Sequence, residues 1–267
     1  MHIVKSKDGT KIAYEKIGNG PAVILVAPAV ADHTDAVLLA ERLSMYFTVY
    51  NYDRRGRGKS TDSTTYAVER EVEDIEAIIQ EAGGKVHLFG SSSGAVLALE
   101  ATSKLGNKVN KLFLFEPPFI INDGRVPVSA DYVQHLNKLI LAEKRSDAVE
   151  YFMTEAIGIP AEYLEPMKAD PSWEFMKSMA HKLAYDGLVM SDTQSGKPLP
   201  TDRWNVDIPT LVMTGENSEP FLHDGARAIA DLLQYGEHRI LSGQDHSVVM
   251  MAPDVMSTVI KEFFIQK

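Results

Sequence analysis

The sequence contains no cysteine. That absence excludes disulfides, thiolate metal sites, iron–sulfur clusters and a cysteine nucleophile. No run of about 18 apolar residues occurs, which argues against a membrane-spanning helix. The start, Met1-His2-Ile3-Val4-Lys5-Ser6-Lys7-Asp8-Gly9, has no basic segment followed by an apolar stretch, so no signal peptide is expected. Positive charge is also scarce: 27 Lys+Arg against 37 Asp+Glu leave a net charge of −10 and a pI near 5.3. That balance disfavours nucleic acid or an anionic membrane as a partner. H-E-x-x-H is absent and no G-x-G-x-x-G follows the first strand of the parallel set, so neither a metal nor a dinucleotide cofactor is expected. What is present is ordinary for a folded enzyme-sized chain: 267 residues, 45% hydrophobic and 24% charged, enough for one or two domains with a sizeable core. A soluble, cytoplasmic, acidic protein is expected.

Two strand-like runs, His2–Lys5 and Lys11–Ile17, flank an Asp8-Gly9 turn and read as a hairpin. Ala22–Ala27 is apolar at every position, as a strand buried on both faces must be. Helical and strand-like segments then alternate: helix Thr34–Tyr46, strand Phe47–Tyr52, helix Tyr66–Glu81, strand Lys85–Phe89, helix Ser93–Lys104 and strand Val109–Glu116. The pattern resumes with strand Ile208–Thr214, helix Pro220–Leu233, strand Gly236–Leu241 and helix Ala252–Gln266. Such alternation predicts an α/β fold with a doubly wound, mostly parallel sheet. Between Pro117 and Asn205 there is little strand signal, several proline breaks, and helical stretches at Ala130–Glu143, Asp147–Ala156 and Trp173–Leu183. The expected organisation is a core of residues 1–116 and 206–267 with an all-helical insertion at 117–205.

Gly90-Ser91-Ser92-Ser93-Gly94 has the composition of a flexible linker. Its neighbours contradict that reading, because a β run precedes it and the helix-forming Ala95-Val96-Leu97-Ala98-Leu99-Glu100-Ala101 follows. A sharp strand-to-helix turn accounts for both glycines and lifts Ser92 to the carboxyl edge of the sheet, at a helix N-terminus. With this motif the chain resembles the α/β-hydrolase superfamily over essentially its whole length. Asp53-Arg54-Arg55-Gly56-Arg57-Gly58-Lys59-Ser60 is similar to that family's D-x-R-G-x-G-x-S loop. A phosphate-binding P-loop is excluded, because Asp53 stands where its first glycine is needed. Turns and ion pairs are expected of this loop rather than catalysis.

A serine nucleophile needs a base. Of eight histidines, His246 lies in Ser242-Gly243-Gln244-Asp245-His246-Ser247, between the last strand and last helix, at the same sheet edge as Ser92. That loop resembles the family's catalytic histidine loop. His33 is the second candidate, more a pocket-rim residue than a base; His87 reads as core, and the rest fall on regular or peripheral elements. The resemblance implies an acid as G-x-x-D after strand 208–214, but the chain has Gly215-Glu216-Asn217-Ser218 there. Some members, including certain haloalkane dehalogenases, place the acid at the preceding strand end, here Glu116, and a carboxylate behind four apolar residues needs a partner. Glu116 is therefore the first choice, with Glu216, Glu219 and a Ser92–His246 dyad as alternatives. The resemblance also implies an oxyanion hole from the Ser93 amide and, because Pro28 has no N–H, the Ala29 amide.

The implied activity is hydrolysis of a carboxylic ester of a small, partly apolar molecule through an acyl-enzyme, without a cofactor. Serine at the elbow argues against dehalogenase and epoxide hydrolase chemistry, which need aspartate there. Thioesterase, lactonase, amide, carbon–carbon and perhydrolase reactions are alternatives on the same groups, as is a non-catalytic ligand-binding protein. The insertion holds both tryptophans, Trp173 and Trp204, and five methionines, which suit either an apolar pocket roof or plain packing. The sequence leaves oligomeric state open.

Overall fold

Successive residues of a buried strand point to opposite faces of its sheet, and this chain sorts them cleanly. In the computed structural model, which describes residues 1–266, Ile24, Val26, Leu112 and Leu114 pack into one apolar cluster, while Val23, Leu25, Phe113 and Phe115 pack into another on the opposite face. The strands are β1 (His2–Lys5), β2 (Lys11–Ile17), β3 (Ala22–Val26), β4 (Thr48–Tyr52), β5 (Val86–Ser91), β6 (Val109–Phe115), β7 (Thr210–Gly215) and β8 (Gly236–Leu241). They form one sheet in the order β1-β2-β4-β3-β5-β6-β7-β8. The β1–β2 and β2–β4 pairings are antiparallel and the other five are parallel. The α/β fold read from the sequence, with its doubly wound, mostly parallel sheet, is the one observed.

Helices α1 (Val37–Leu43), α2 (Val68–Glu81) and α3 (Ser93–Leu105) follow strands β3, β4 and β5. Between β6 and β7 lie α4 (Tyr132–Leu141), α5 (Arg145–Tyr151), α6 (Leu164–Lys168), α7 (Pro171–Met179) and α8 (Leu183–Met190), and α9 (Pro220–Leu232), α10 (Val248–Met251) and α11 (Pro253–Ile265) complete the chain. Helices α2, α3 and α9 cover one face, and α1, α10 and α11 the other. Among the described residues no helix is long and apolar enough to cross a membrane.

The segment between β6 and β7 has its own small core, which includes Leu136, Val149, Trp173 and Leu183. Its two ends do not belong to that core: Phe119, Val189, Met190, Leu199 and Trp204 pack with the main sheet cluster. Sequence periodicity underestimates this segment. Helix α6 lies between prolines, and α8 carries Gly187 and Asp186, both poor helix residues. Residues 152–157, expected as the end of an α-helix, form a wider π turn that closes at Gly158.

A buried ion cluster joins this segment to the sheet. Arg54 grips Glu71 with two bonds of 2.7 Å, and its third nitrogen donates to Asp186 of α8 at 2.7 Å. Arg57 donates to the other Asp186 oxygen at 2.7 Å. The neighbouring Arg55 is paired with Asp74 and Asp8, so all three loop arginines serve ion pairs. Burial opposes the charges on Glu71 and Asp186, but the guanidiniums outweigh it and hold both carboxyls below their usual range. Because both folded-state values are lowered, this stabilisation is present at neutral pH and disappears as pH falls through those lowered values.

Removing one partner strands buried charge. Asp186→Asn is expected to cost about 3–5 kcal/mol, a fall in Tm on the order of 10 °C for a protein this size. Lys177→Ala, which breaks the exposed Lys177–Glu174 pair on α7, is expected to cost less than about 1 kcal/mol. Thermal and urea denaturation of the two variants check this; equal losses would contradict it.

Candidate active site

The turn from β5 into α3 holds Ser92 at φ +52°, ψ −126°, outside the allowed regions for most residues. The flanking glycines make the turn possible: a Cβ on Gly90 would collide with the Gly94 carbonyl, and one on Gly94 with the Val26 and Ala27 carbonyls of β3 and its exit. The Ser92 amide is anchored on the Phe115 carbonyl of β6 at 2.9 Å. Its side chain faces a cavity of about 440 Å³, whose wall also includes His246, Ser93 and Ala29.

Glu116 comes directly after β6 and is fully buried. Its Oε1 accepts from the Gly215 amide at 2.7 Å and from the Ser218 hydroxyl at 2.5 Å. Its Oε2 accepts from His246 Nδ1 at 2.5 Å. A carboxylate can only accept, so Nδ1 carries a proton, and in the neutral ring that leaves the lone pair on Nε2. The ring is 49% exposed and borders a second cavity of about 220 Å³ as well as the first. Among the described residues no hydrogen bond joins Ser92 to His246; the two share the cavity wall.

The alternative acids lie elsewhere. Glu216 is exposed and accepts from Ser242 Oγ and the Gly243 amide at 2.7 Å each, bracing the start of the histidine loop. These donors hold its carboxyl below the ordinary range. Glu219 is exposed on the cavity wall. Among the described residues neither makes a hydrogen bond or ion pair with His246, whose one such partner is Glu116.

His33 lies outside the walls of both cavities; its Nδ1 is hydrogen-bonded to buried Asp53 at 2.6 Å. The expectation of a pocket-rim histidine is corrected accordingly: the loop after β3 turns His33 towards Asp53. Asp32, His33 and Asp53 gather potential metal ligands within 4.8 Å. Most of their oxygens already accept hydrogen bonds: both of Asp53, from His33 and the Lys59 amide, and Oδ1 of Asp32, from Thr34. His87 is a core residue as expected, stacked on Phe264 at 4.6 Å, with burial and then Lys111 lowering its pKa to about 4.

Among the described residues the amides of Ser93 and Ala29 have no protein acceptor, and both residues line the main cavity. Ser93 opens α3, whose first amides have no partner within the helix. The loop carrying Ala29 is strained: Val30 sits at φ +48°, rare for a β-branched residue. Arg57 holds it on both sides, donating to the Pro28 carbonyl at 2.6 Å and the Ala31 carbonyl at 3.3 Å, and Arg54 donates to the Ala27 carbonyl. Asp186 reaches Ser93 as well, accepting from its Oγ at 2.9 Å.

Asp186 is thus a site-building residue that sequence reasoning missed. Its signal was available as a lone acid in the apolar run Leu183-Ala184-Tyr185-Asp186-Gly187-Leu188-Val189-Met190. Of the insertion's five methionines only Met190 lines the cavity, and Trp173 is buried in the segment's own core.

Known proteins agree with this architecture. Residues 23–258 match the model of the alpha/beta hydrolase family. An alpha/beta hydrolase from Sphaerobacter thermophilus, known as a crystal structure, is 44% identical, with a TM-score of 0.90 over 98% of this chain and 100% of that one. N-formylmaleamate deformylase from Pseudomonas putida is 35% identical over 156 residues, 55% of this chain and 58% of its own. The uncharacterized hydrolase YraK from Bacillus subtilis is 32% identical over 136 residues, 49% of this chain and 50% of its own. The chain spans about half the length of these two curated relatives. By its matched residues and its near-complete overlap with the Sphaerobacter protein, the chain belongs to the alpha/beta hydrolase family.

Proposed function

We propose that the protein is a serine hydrolase that cleaves a carboxylic ester, or a closely related acyl bond, of a small and partly apolar substrate through an acyl-enzyme. The observation that carries this reading is the Glu116–His246 pair, whose free Nε2 shares a cavity with Ser92 on its strained turn. His246 Nε2 takes the Ser92 proton as Oγ attacks the carbonyl carbon. A buried carboxylate on Nδ1 stabilises the resulting imidazolium and keeps the ring in the right tautomer. Negative charge on the former carbonyl oxygen is met by the Ser93 and Ala29 amides. Imidazolium then protonates the departing alcohol. Water, deprotonated by His246, attacks the acyl-enzyme and releases the acid and free Ser92. The contact between Ser92 and His246 closes as substrate binds, a tightening common at such sites. In the same reading segment 117–205 is a cap over the sheet edge, and the partner is a small molecule rather than nucleic acid or a membrane.

A second reading, cleavage of an amide or formamide bond by the same groups, is favoured by the relative named N-formylmaleamate deformylase. Matched ester and amide substrates separate the two.

A fluorophosphonate is expected to form one adduct, on Ser92, seen by intact mass and peptide mapping. A folded protein that takes no label would instead be a binding protein. On p-nitrophenyl acetate, Glu116→Gln is expected to lower kcat by roughly a thousandfold or more. Glu216→Gln, which touches only the Ser242–Gly243 turn, should lose less than about tenfold. The reverse order of effects would move the acid to Glu216.

A further inference from the structure

The cavity contains a guanidinium that the hydrolytic reading does not use. Arg125 lies in the loop between β6 and α4 and lines the same cavity as Ser92 and His246. It sits over the Phe221 ring at 4.5 Å. It also lies close against Gly158, where an added Cβ would stand 2.9 Å from Nη2 and 3.3 Å from Cζ. The guanidinium is therefore packed against a ring and against bare backbone, and a 2.6 Å bond from Nη2 to the Ala156 carbonyl fixes it. Among the described residues that is its one hydrogen bond, and no carboxylate comes within 4.0 Å of it.

The chain treats its fully buried arginines differently. Arg54, Arg55 and Arg57 each have a carboxylate within 2.9 Å. A partly buried cation without a counter-ion is costly unless a ligand supplies one. Burial lowers the Arg125 pKa, with Glu219 and Glu155 opposing from beyond ion-pair distance. The other acids on the wall are engaged: Asp186 with Arg54, Arg57 and Ser93, and Asp245 with the amide and hydroxyl of Ser247. Glu219, exposed and with no side-chain hydrogen bond among the described residues, is the wall acid that competes for Arg125.

We propose that Arg125 binds a carboxylate on the substrate, so that the site acts on short esters or related acyl compounds that carry a second, ionised carboxyl group. The proposal rests on Ser92 being the nucleophile. Arginine suits the task because its planar fork matches a carboxylate and several of its N–H donors are unused. A cavity of about 440 Å³ accepts a small molecule with an apolar spacer between the two ends.

Two matched pairs test this. Monoethyl glutarate against its neutral carboxamide counterpart, ethyl glutaramate, places the charge on the acyl half. 4-Acetoxybutyrate against 4-acetoxybutyramide places it on the alcohol half. In at least one pair kcat/KM is expected to favour the anion by roughly ten- to a hundredfold. Arg125→Gln should bring that ratio to about one, Arg125→Lys should keep part of it, and Glu219→Gln should raise it. Equal or better turnover of the neutral member in both pairs overturns the proposal, as does a ratio unchanged in Arg125→Gln. Calorimetric titration of Ser92→Ala with monoethyl glutarate and 4-acetoxybutyrate, with and without Arg125→Gln, reads the anion site without hydrolysis. If either anion binds in an Arg125-dependent way while Ser92 takes no fluorophosphonate, the hydrolase reading fails and the anion site stands. Labelling of Ser92 with no anion preference does the opposite.

Discussion

A fully buried carboxylate must have its lone pairs met, or folding bears its desolvation. Glu116 satisfies that demand in a way that organises the sheet edge. Its own amide is held by the Met213 carbonyl of β7, its side chain takes the amide that ends β7 and the Ser218 hydroxyl, and its remaining oxygen takes the imidazole from the loop after β8. One charge therefore ties together the chain segments that leave β6, β7 and β8. The β6–β7 register, with Phe115 opposite Met213, sets where that charge stands. Glu116 itself adopts φ +48°, a conformation kept only because so many partners fix it.

The opposite side of the cavity is built by an independent device of the same kind. Arg54 and Arg57 hold the carbonyls around Ala29, and Asp186 holds both arginines together with the Ser93 hydroxyl. Ala29 and Ser93, both on the cavity wall, are thus held by two arginines behind that wall and by one carboxylate on it. Of the five non-glycine residues with positive φ, three are Val30, Ser92 and Glu116. Backbone strain thus falls on the Ala29 loop, the Ser92 turn and the Glu116 carboxylate behind His246, and buried ion pairs and hydrogen bonds hold it there.

This pattern also explains what the amino-acid order discloses. The sheet was legible because its strands are short apolar runs between turns, and the Ser92 turn because two glycines separate a strand from a helix former. Glu116 was legible as a charge where four apolar residues demand a partner. The helices between β6 and β7 were less so, since they are short, interrupted by proline and glycine, and stabilised by packing on one another rather than by propensity. Asp186 showed only as a lone acid in an apolar run, with nothing to mark its role, and Arg125 did not show at all. Asp186 gains its meaning from Arg54 and Arg57, more than 125 positions earlier, and Arg125 lies in a loop whose local sequence carries no periodic signal. Residues that act by long-range pairing leave little trace in their neighbours.

Ser218 shows why the acid and its surroundings must change together. It occupies the position at which the family resemblance leads one to expect an aspartate, and it donates to Glu116. A carboxylate at both positions would set two like charges within hydrogen-bonding distance, and one of them would take up a proton. The carboxyl facing His246 could then be the neutral one, with little ability to stabilise an imidazolium. A hydroxyl at 218 supplies a donor and no charge, so Glu116 can remain an acceptor towards His246. Ser218 thus meets one oxygen of Glu116 and leaves the other to His246.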